Sequence, residues 1–483
     1  MASRRMIPVD KVLPFLATAL DEQAMRGIFA QHFQSRDGFI TNVTECAIER
    51  IKYRPGRNCL IGYRLKLRDE FNEREQRLCA GIYAAADARA RYEKAMSAAH
   101  VATPNLPPVM YLSQLNMVAW AFPNERKLSA LPLFADDSQL RQRLLAEVVR
   151  ARWGDGWEII ESSHRVSNYF PEHSCCINVS LKLREMKSEA RKTWDVIGKM
   201  RVDAAGVQTH AHMSALRQTA DCDVAYARPL IYQDPYQVQW QERVHGVPLH
   251  SLLLSGDAHG QVAARVGKAI AALHRTSLPE TRRATVKNLI DNLNAAHKTI
   301  ASAWPNCAVA LRRTVNLLIA RSHSLSNALS ATCHGDLHSN NILVGADQIF
   351  LVDMDDLAKG PPLADLGSFL AELIYRGCIG AKPLDAIQSL ITNVIAAYRQ
   401  AVPWPVADAE LAWYIAGALI HERALRCLTS LKPVGRDAMD RIIATAAAIV
   451  DAGNVDQYFV PSNDTAATLS GSKIGMCHDA IIV

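Results

Sequence analysis

A run that begins at Tyr53, Tyr53-Arg54-Pro55-Gly56-Arg57-Asn58-Cys59-Leu60-Ile61, returns at an offset of 116 as Tyr169-Phe170-Pro171-Glu172-His173-Ser174-Cys175-Cys176-Ile177. Leu65-Lys66-Leu67 and Leu181-Lys182-Leu183 follow in the same register. Both copies alternate apolar and polar residues around a proline-containing turn, the pattern of a half-buried antiparallel hairpin. The correspondence continues with Gly81-Ile82-Tyr83 against Gly198-Lys199-Met200 at an offset of 117, which sets Ile82 opposite Lys199. A further strand pair runs from Pro108 to Trp120 and from Pro229 to Trp240. The chain is therefore expected to build the same β-rich unit twice. Residues 137–153 carry apolar positions at helical spacing after an Asp136-Asp137-Ser138 cap and are read as a helix joining the copies.

Beyond residue 250 the periodicity turns helical, with amphipathic stretches at 261–273, 286–303, 310–329, 384–402 and 408–431. One strand pair interrupts them, Asn341 to Val344 and Gln348 to Asp353, around a Gly345-Ala346-Asp347 turn. The segment after residue 457 has no period and reads as a mobile tail. The expected domains are 1–136, an N-terminal helix with the first β copy; 137–245, the second copy; 246–456, a helical lobe; and 457–483, the tail.

The net charge of +6, from 54 basic against 48 acidic residues spread along 483 positions, does not indicate nucleic-acid binding. The 11 cysteines include no C-x-x-C pair, so neither a disulfide framework nor a zinc site is expected. With no secretory signal pattern and no apolar run of membrane-spanning length, the reading is a soluble cytoplasmic protein that does not bind a membrane. Oligomeric state cannot be read from the sequence.

The densest chemistry lies in Cys333-His334-Gly335-Asp336-Leu337-His338-Ser339-Asn340-Asn341-Ile342-Leu343-Val344. Asp336, in a tight loop, can accept or orient the proton of an attacking hydroxyl. Five residues on, the Asn341 amide oxygen can reach a metal as the chain enters a strand, and Asp353 at the end of the hairpin offers a second oxygen ligand. A carboxylate and an amide oxygen suit Mg2+ completed by phosphate oxygens.

These residues resemble the aminoglycoside phosphotransferase family, whose signature runs His-Gly-Asp-x-His-x-x-Asn, then an apolar strand ending in Asp, then Asp-Leu; here His334 to Asn341, Leu351-Val352-Asp353 and Asp365-Leu366. The resemblance implies an α+β, protein-kinase-like two-lobed fold, with an antiparallel β N-lobe and a mostly helical C-lobe, preceded here by a degenerate second N-lobe. It implies Asp336 as catalytic base, Asn341 and Asp353 as Mg2+ ligands, Asp365 and His334 as supports of the loop, and ATP as phosphate donor to a small-molecule hydroxyl. Gln241-Glu242-Arg243-Val244-His245-Gly246 looks like the nucleotide-binding hinge, and Ala272-Leu273-His274 like the helix end after it. His338 is read as orienting the loop through a backbone contact.

Lys199 is the expected cation for the nucleotide phosphates. With no G-x-G-x-x-G present, the Glu172-His173-Ser174 turn is expected to cover them through backbone N–H groups and the Ser174 hydroxyl. The following helix-like run, 207–217, offers no acid to pair with Lys199. That absence, with the extra lobe, leaves a catalytically weak nucleotide-binding module as the alternative. Met354-Asp355 after Asp353 favours the small-molecule branch of the fold over the protein kinases.

Overall fold

The computed structural model describes residues 7–33, 42–68, 72–98, 100–103, 106–125, 127–203, 205–219, 223–255, 260–278, 282–325, 329–380, 384–431, 435 and 437–455, and the 457–483 tail lies outside them. Two compact units result, one holding both β copies as far as His210 together with Pro229–Arg243 and Thr429–Leu431, the other the remainder.

In the first unit β1 (Asn42–Arg54), β2 (Asn58–Arg68), β3 (Glu73–Ile82), β4 (Val109–Leu112) and β5 (Met117–Ala121) form a sheet ordered β1-β2-β3-β5-β4. The second copy uses β6 (Trp157–Phe170), β7 (Ser174–Glu185) and β8 (Arg191–Arg201). After the short β9 (Val224–Tyr226), which pairs elsewhere, it continues with β10 (Pro229–Gln233) and β11 (Val238–Glu242). Its order, β10-β11-β8-β7-β6, is the same path through the sheet. The likeness reaches irregular features. Each first strand carries two register shifts, after Val43 and Ile48 in β1 and after Ile159 and Val166 in β6. Each last hairpin turns through a short 3-10 segment ended by a left-handed residue, Asn116 or Gln237.

A carboxylate staples the first hairpin in both copies. Asp10 accepts the Tyr53 hydroxyl (2.9 Å) and the Gly56 N–H (2.8 Å). Glu125 accepts the Tyr169 hydroxyl (2.5 Å) and the Glu172 N–H (3.2 Å). Gly56 and Glu172 both have positive φ, 66° and 56°, which turns their N–H groups toward the acid. Burial pushes the Glu125 carboxyl above its ordinary value, and the bonds from Tyr169 and Glu172 offset this only in part.

The strand register corrects two sequence alignments. Cys59 pairs with Ile82, whereas Cys175 pairs with Met200 and Cys176 with Lys199. The counterpart of Lys199 is therefore Gly81, not Ile82. Likewise Val118 pairs with Gly81 and Gln239 with Lys199, so Trp120 corresponds to Gln241 and Trp240 to Ala119. A slip of one residue exchanges the faces of a strand, so the correction changes what each face is made of.

On the first sheet the face bearing Gly81 reads Leu60-Gly81-Val118 and Gly62-Cys79-Trp120 across neighbouring strands. Cys79, Val118 and Trp120 pack with Cys175, Ile177, Val196, Met200, Val238 and Trp240 of the second sheet in one core. This shared core makes one unit of residues that the sequence divides at 136. The opposite face of the first sheet, with Ile61, Tyr63, Leu65, Leu78 and Ile82, buries the helices Leu16–Ala19 and Glu22–Ala30 through Leu16, Met25 and Phe29. Between the copies the helical residues are Asp137–Leu140, a π-helical turn Arg141–Leu145, and Ala146–Trp153, begun by Asp136 accepting the Ser138 and Gln139 N–H groups.

The second unit is mostly helical: Gly260–Arg275, Val286–Ala303, Ala308–Arg321, Pro362–Cys378, Leu384–Ala401, Asp408–Ala418 and Met439–Ala452. A π-helical segment, Leu419–Ala424, extends the sixth of these. The expected strand pair is present as β15 (Ile342–Val344) and β16 (Ile349–Leu351). It has company that the sequence pattern did not disclose: β12 (Val247–Pro248) pairs with β15 and β9 runs parallel to β16. A separate sheet joins β13 (Arg282–Arg283), β17 (Ala358–Gly360) and β14 (Ala331–Cys333). Strands of two or three residues are too short to carry a hydrophobic period. Among the described residues no helix is long and apolar enough to cross a membrane, and nine cysteines are free thiols.

Tyr169→Phe should destabilise the protein by about 1–3 kcal/mol, because a buried acceptor loses its donor. Glu125 already titrates high, so its ionisation is a burden that grows as pH rises, and removing the hydroxyl that favours the charged form enlarges it. Chemical denaturation at two pH values should therefore show a larger loss at pH 7 than at pH 4.

Candidate active site

The loop between β14 and β15 is held from beneath by Asp365, near the start of the helix Pro362–Cys378. Its carboxylate accepts the backbone N–H of His334 and that of Gly335 (2.9 Å), and the His274 Nε2–H lies 3.4 Å away. The His274 Nδ1 is 2.8 Å from the Tyr398 hydroxyl, which fixes the ring. Burial pushes the Asp365 carboxyl upward, but the bond and charge of His274, the nearby His334 and the Gly335 N–H outweigh it, and the group titrates below its ordinary value.

Gly335 has φ +84°, and a Cβ there would lie 2.1 Å from the Asp356 carbonyl oxygen. Only glycine permits both the left-handed turn and this close approach. The buried His334 ring donates from Nε2 to the Val352 carbonyl (2.9 Å) and receives the Asp336 N–H at Nδ1 (3.4 Å), so the proton of the neutral ring sits on Nε2. The turn leaves the Asp336 side chain 43% exposed, in a loop whose neighbours His334, Leu337 and Ser339 are fully buried.

A second anchor lies five residues on. Glu372 accepts the Ser339 N–H and the Ser339 hydroxyl, each at 2.9 Å, and is paired with Arg376 one helical turn along. Burial would raise its carboxyl, but Arg376, Arg423, His338 and the Ser339 N–H bring it down from 4.5 to about 2. His338 caps the same short turn by accepting the Asn340 N–H at Nδ1 (3.3 Å), and its Nε2 is 3.7 Å from Asp336 Oδ2. Burial drives the His338 imidazole below its ordinary value against the pull of Asp336 and Glu372. The ring is therefore neutral at pH 7 and presents an N–H to Asp336.

Asn341 is 1% exposed, and its Nδ2 donates to the Asp336 carbonyl (3.0 Å), which leaves Oδ1 as the atom available to a cation. The Val352 N–H donates to the Asn341 carbonyl (3.0 Å), so Asp353 follows directly on the residue opposite Asn341. Asp353 has φ 67°, a left-handed bend that ends the strand. An amide oxygen and a carboxylate at adjacent positions of one hairpin are the donor chemistry of a hard divalent cation. A different cluster, His274, Cys333 and Asp365, also gathers ligand-type atoms within 4.8 Å. Its atoms are committed to the loop support, and burial, with Asp365 adding, keeps the Cys333 thiol protonated.

The remaining sequence candidates fall in the first unit or at its boundary. Lys199 is 8% exposed on β8. The helix Gly206–Thr219 contains no acid, and its His210 Nδ1 lies 3.2 Å from the Gln239 Oε1. The Glu242 carboxylate is paired with Arg152 (2.7 Å), while Val244 packs at the edge of the helical core. The Ser174 hydroxyl is 3.3 Å from the His173 Nδ1. The expectation that backbone N–H groups of this turn cradle phosphates needs correction, because Glu172 donates its own to Glu125 and His173 donates to the Phe170 carbonyl. Sequence reasoning missed Glu372, whose spacing from Ser339 carries no motif.

Gly335→Ala should unfold the loop locally and lower stability by more than the roughly 1–2 kcal/mol of a left-handed L-residue, because a steric contact is added; the melting temperature reports this. The ionised Glu372 stabilises the fold fully above pH 4.5, and this contribution fades as pH falls toward 2. Over that window wild type should lose about 3 kcal/mol more than Glu372→Gln, as read by denaturation at stepped pH.

Comparison with known proteins finds no match among the curated ones. Among solved structures the chain is similar to a choline/ethanolamine kinase family protein from Mesorhizobium loti, with 17% identity and a TM-score of 0.41 over 58% of this chain and 87% of that one. It is also similar to a macrolide 2'-phosphotransferase from Brachybacterium faecium, with 16% identity and a TM-score of 0.39 over 62% and 97%. A third is an amicoumacin kinase in complex with AMP-PNP and Ca2+, with 13% identity and a TM-score of 0.43 over 60% and 89%. The model of the phosphotransferase enzyme family matches residues 200–401, a span that begins just after Lys199 and contains the loop, the hairpin and both anchoring acids. It is in this span, 200–401, that the chain is similar to the phosphotransferase enzyme family.

Proposed function

We propose that this protein transfers the γ-phosphoryl group of ATP to a hydroxyl of a small molecule. The observation that carries the reading is the loop 334–341: it projects the Asp336 carboxylate toward solvent beside a neutral His338, and its far end fixes Asn341 next to Asp353 across the hairpin. Asp336 accepts or orients the proton of the acceptor hydroxyl, whose oxygen bonds to the γ-phosphorus as the bond to the β-phosphate oxygen breaks and ADP leaves. The His338 N–H, 3.7 Å from Asp336, restrains the carboxylate without taking its proton. Asn341 Oδ1 and the Asp353 carboxylate would hold Mg2+, which neutralises phosphate charge when bound. Lys199 is proposed to supply a cation to the phosphates, Ser174 a hydroxyl, and the Glu242–Val244 segment the hinge against the nucleotide.

The absence of an acid in the helix Gly206–Thr219 and the presence of a second β lobe are the observations on the side of a catalytically weak nucleotide-binding module. The intact Asp336, Asn341 and Asp353 set supports the enzyme. A reducing, cytoplasmic setting suits the free thiols among the described cysteines.

Asp336→Ala should lower turnover by about 10²–10⁴-fold while ATP affinity changes little, measured as ADP release over a panel of hydroxylated metabolites and as calorimetric binding. Retained turnover would remove Asp336 from its role. Wild-type protein with ATP should gain thermal stability that depends on Mg2+; no such gain, with no ADP released, would sink the nucleotide reading altogether.

A further inference from the structure

The first hairpin turn of the second copy lies against a row of cations from the first. Along β1 the side chains of Arg50, Lys52 and Arg54 alternate with Ile51 and Tyr53, which face the core shared with the N-terminal helices, so the three cations occupy the other face. A Cβ placed on Gly62, the partner of Arg50, would lie 3.6 Å from the Arg50 Cβ and 3.9 Å from the Pro171 Cγ. The Arg50 guanidinium donates to Asn168 Oδ1 (3.0 Å) and lies 4.3 Å over the Phe170 ring. Another cation comes from the end of the first copy. Lys127 donates its backbone N–H to Glu125 (3.1 Å), the acid that also holds the Tyr169 hydroxyl and the Glu172 N–H, and its Nζ is 3.4 Å from Glu172 Oε2.

Charge at this corner is out of balance. Arg50 is engaged by Asn168 and Phe170, and the acid that faces Lys52, Glu172, is engaged by Lys127. Lys52 is half-buried, and among the described residues neither its ammonium nor the Arg54 guanidinium has a hydrogen-bond or ion-pair partner. Burial pulls the Lys52 ammonium below its ordinary value; the charges of Arg54 and Lys127 pull it further, and Glu172 opposes them. The hairpin does not require these cations, because the second copy has Asn168 and Phe170 where the first has Lys52 and Arg54. Cations gathered partly out of water without a counter-charge are a cost to the fold, and a bound oxyanion removes it.

We propose that Lys52, Arg54 and Lys127 form a binding site for a phosphate-type oxyanion, placed where the first β copy meets the Pro171–His173 turn of the second. A tetrahedral dianion accepts hydrogen bonds from several donors at once, and the mobile ammonium of Lys127 turns from Glu172 to reach it. The site uses neither Lys199 nor any residue of the loop 334–341 or its hairpin, so it stands apart from the phosphotransferase reading. It gives the first copy, which has Gly81 where the second has Lys199, a binding role of its own.

The test titrates the full chain with inorganic phosphate and, separately, with glycerol phosphate, by calorimetry in EDTA at an ionic strength held constant with sodium chloride. Wild type is compared with Lys52→Met, Lys127→Gln and Lys199→Met, and each melting temperature is taken without ligand. Wild type and Lys199→Met should bind saturably with equal affinity, and Lys52→Met and Lys127→Gln should each lose about tenfold or more. The ligand-free melting temperature of Lys52→Met should be no lower than that of wild type; if it is lower, the exposed change Lys127→Gln carries the comparison. Binding of both probes assigns the site to phosphate monoesters and binding of inorganic phosphate alone to the free ion, and either result supports it. No saturable binding by wild type, an affinity unchanged in Lys127→Gln or in a stably folded Lys52→Met, or an equal loss in Lys199→Met overturns it, whether or not the chain turns over ATP.

Discussion

The candidate site hangs on one buried carboxylate. Asp365 accepts two successive backbone N–H groups, those of His334 and Gly335, and so fixes the point where the chain leaves β14 and turns toward Asp336. Burying a carboxylate is unfavourable unless it is thoroughly hydrogen-bonded, and here the donors come from the loop itself and from His274. The arrangement binds loop and acid to each other: the loop satisfies the charge, and the charge denies the loop any other path. Glu372 repeats the device at the far end through Ser339, with Arg376 balancing it. Between two such anchors the three residues 336–338 have little freedom, and the half-exposed Asp336 carboxylate is set by its surroundings and not by its own contacts.

The repeat shows how one sheet design serves two ends. Strand order, the two register shifts of the long first strand, and the carboxylate staple on the first hairpin are common to both copies. What differs is the character of one face. In the first copy it is apolar, and it gains stability by packing on the second sheet. In the second copy the equivalent face keeps Lys199, Asn178, Gln239 and Gln241 at positions where apolar residues would be easier to bury. Retained buried polarity of this kind marks a face with work other than packing.

Much of this was legible in the chain. The Tyr-x-Pro hairpins, the helical stretches 286–303 and 384–402, and the hairpin ending in Asp353 follow from periodicity and turn residues, and the His334 to Asn341 run indicated the site. The register was not legible. Trp120 and Trp240 look equivalent in sequence because each sits near the end of its copy, yet they lie on opposite faces of corresponding strands and meet in one core. Sequence similarity aligns residue types, whereas a sheet aligns hydrogen bonds, and the two disagree whenever a turn changes length by one.

The sequence alone determined the two β copies, the helical remainder, and the residue types gathered around Asp336, because local periodicity and short motifs depend only on near neighbours along the chain. Only the tertiary structure decided that Gly81 stands where Lys199 does, that Glu372 braces Ser339 from 33 residues away, and that the Asn178 amide is enclosed without a partner. Each of these is a relation between segments distant in sequence. Such relations arise only when burial brings the segments together and each polar group must then find a partner or go without.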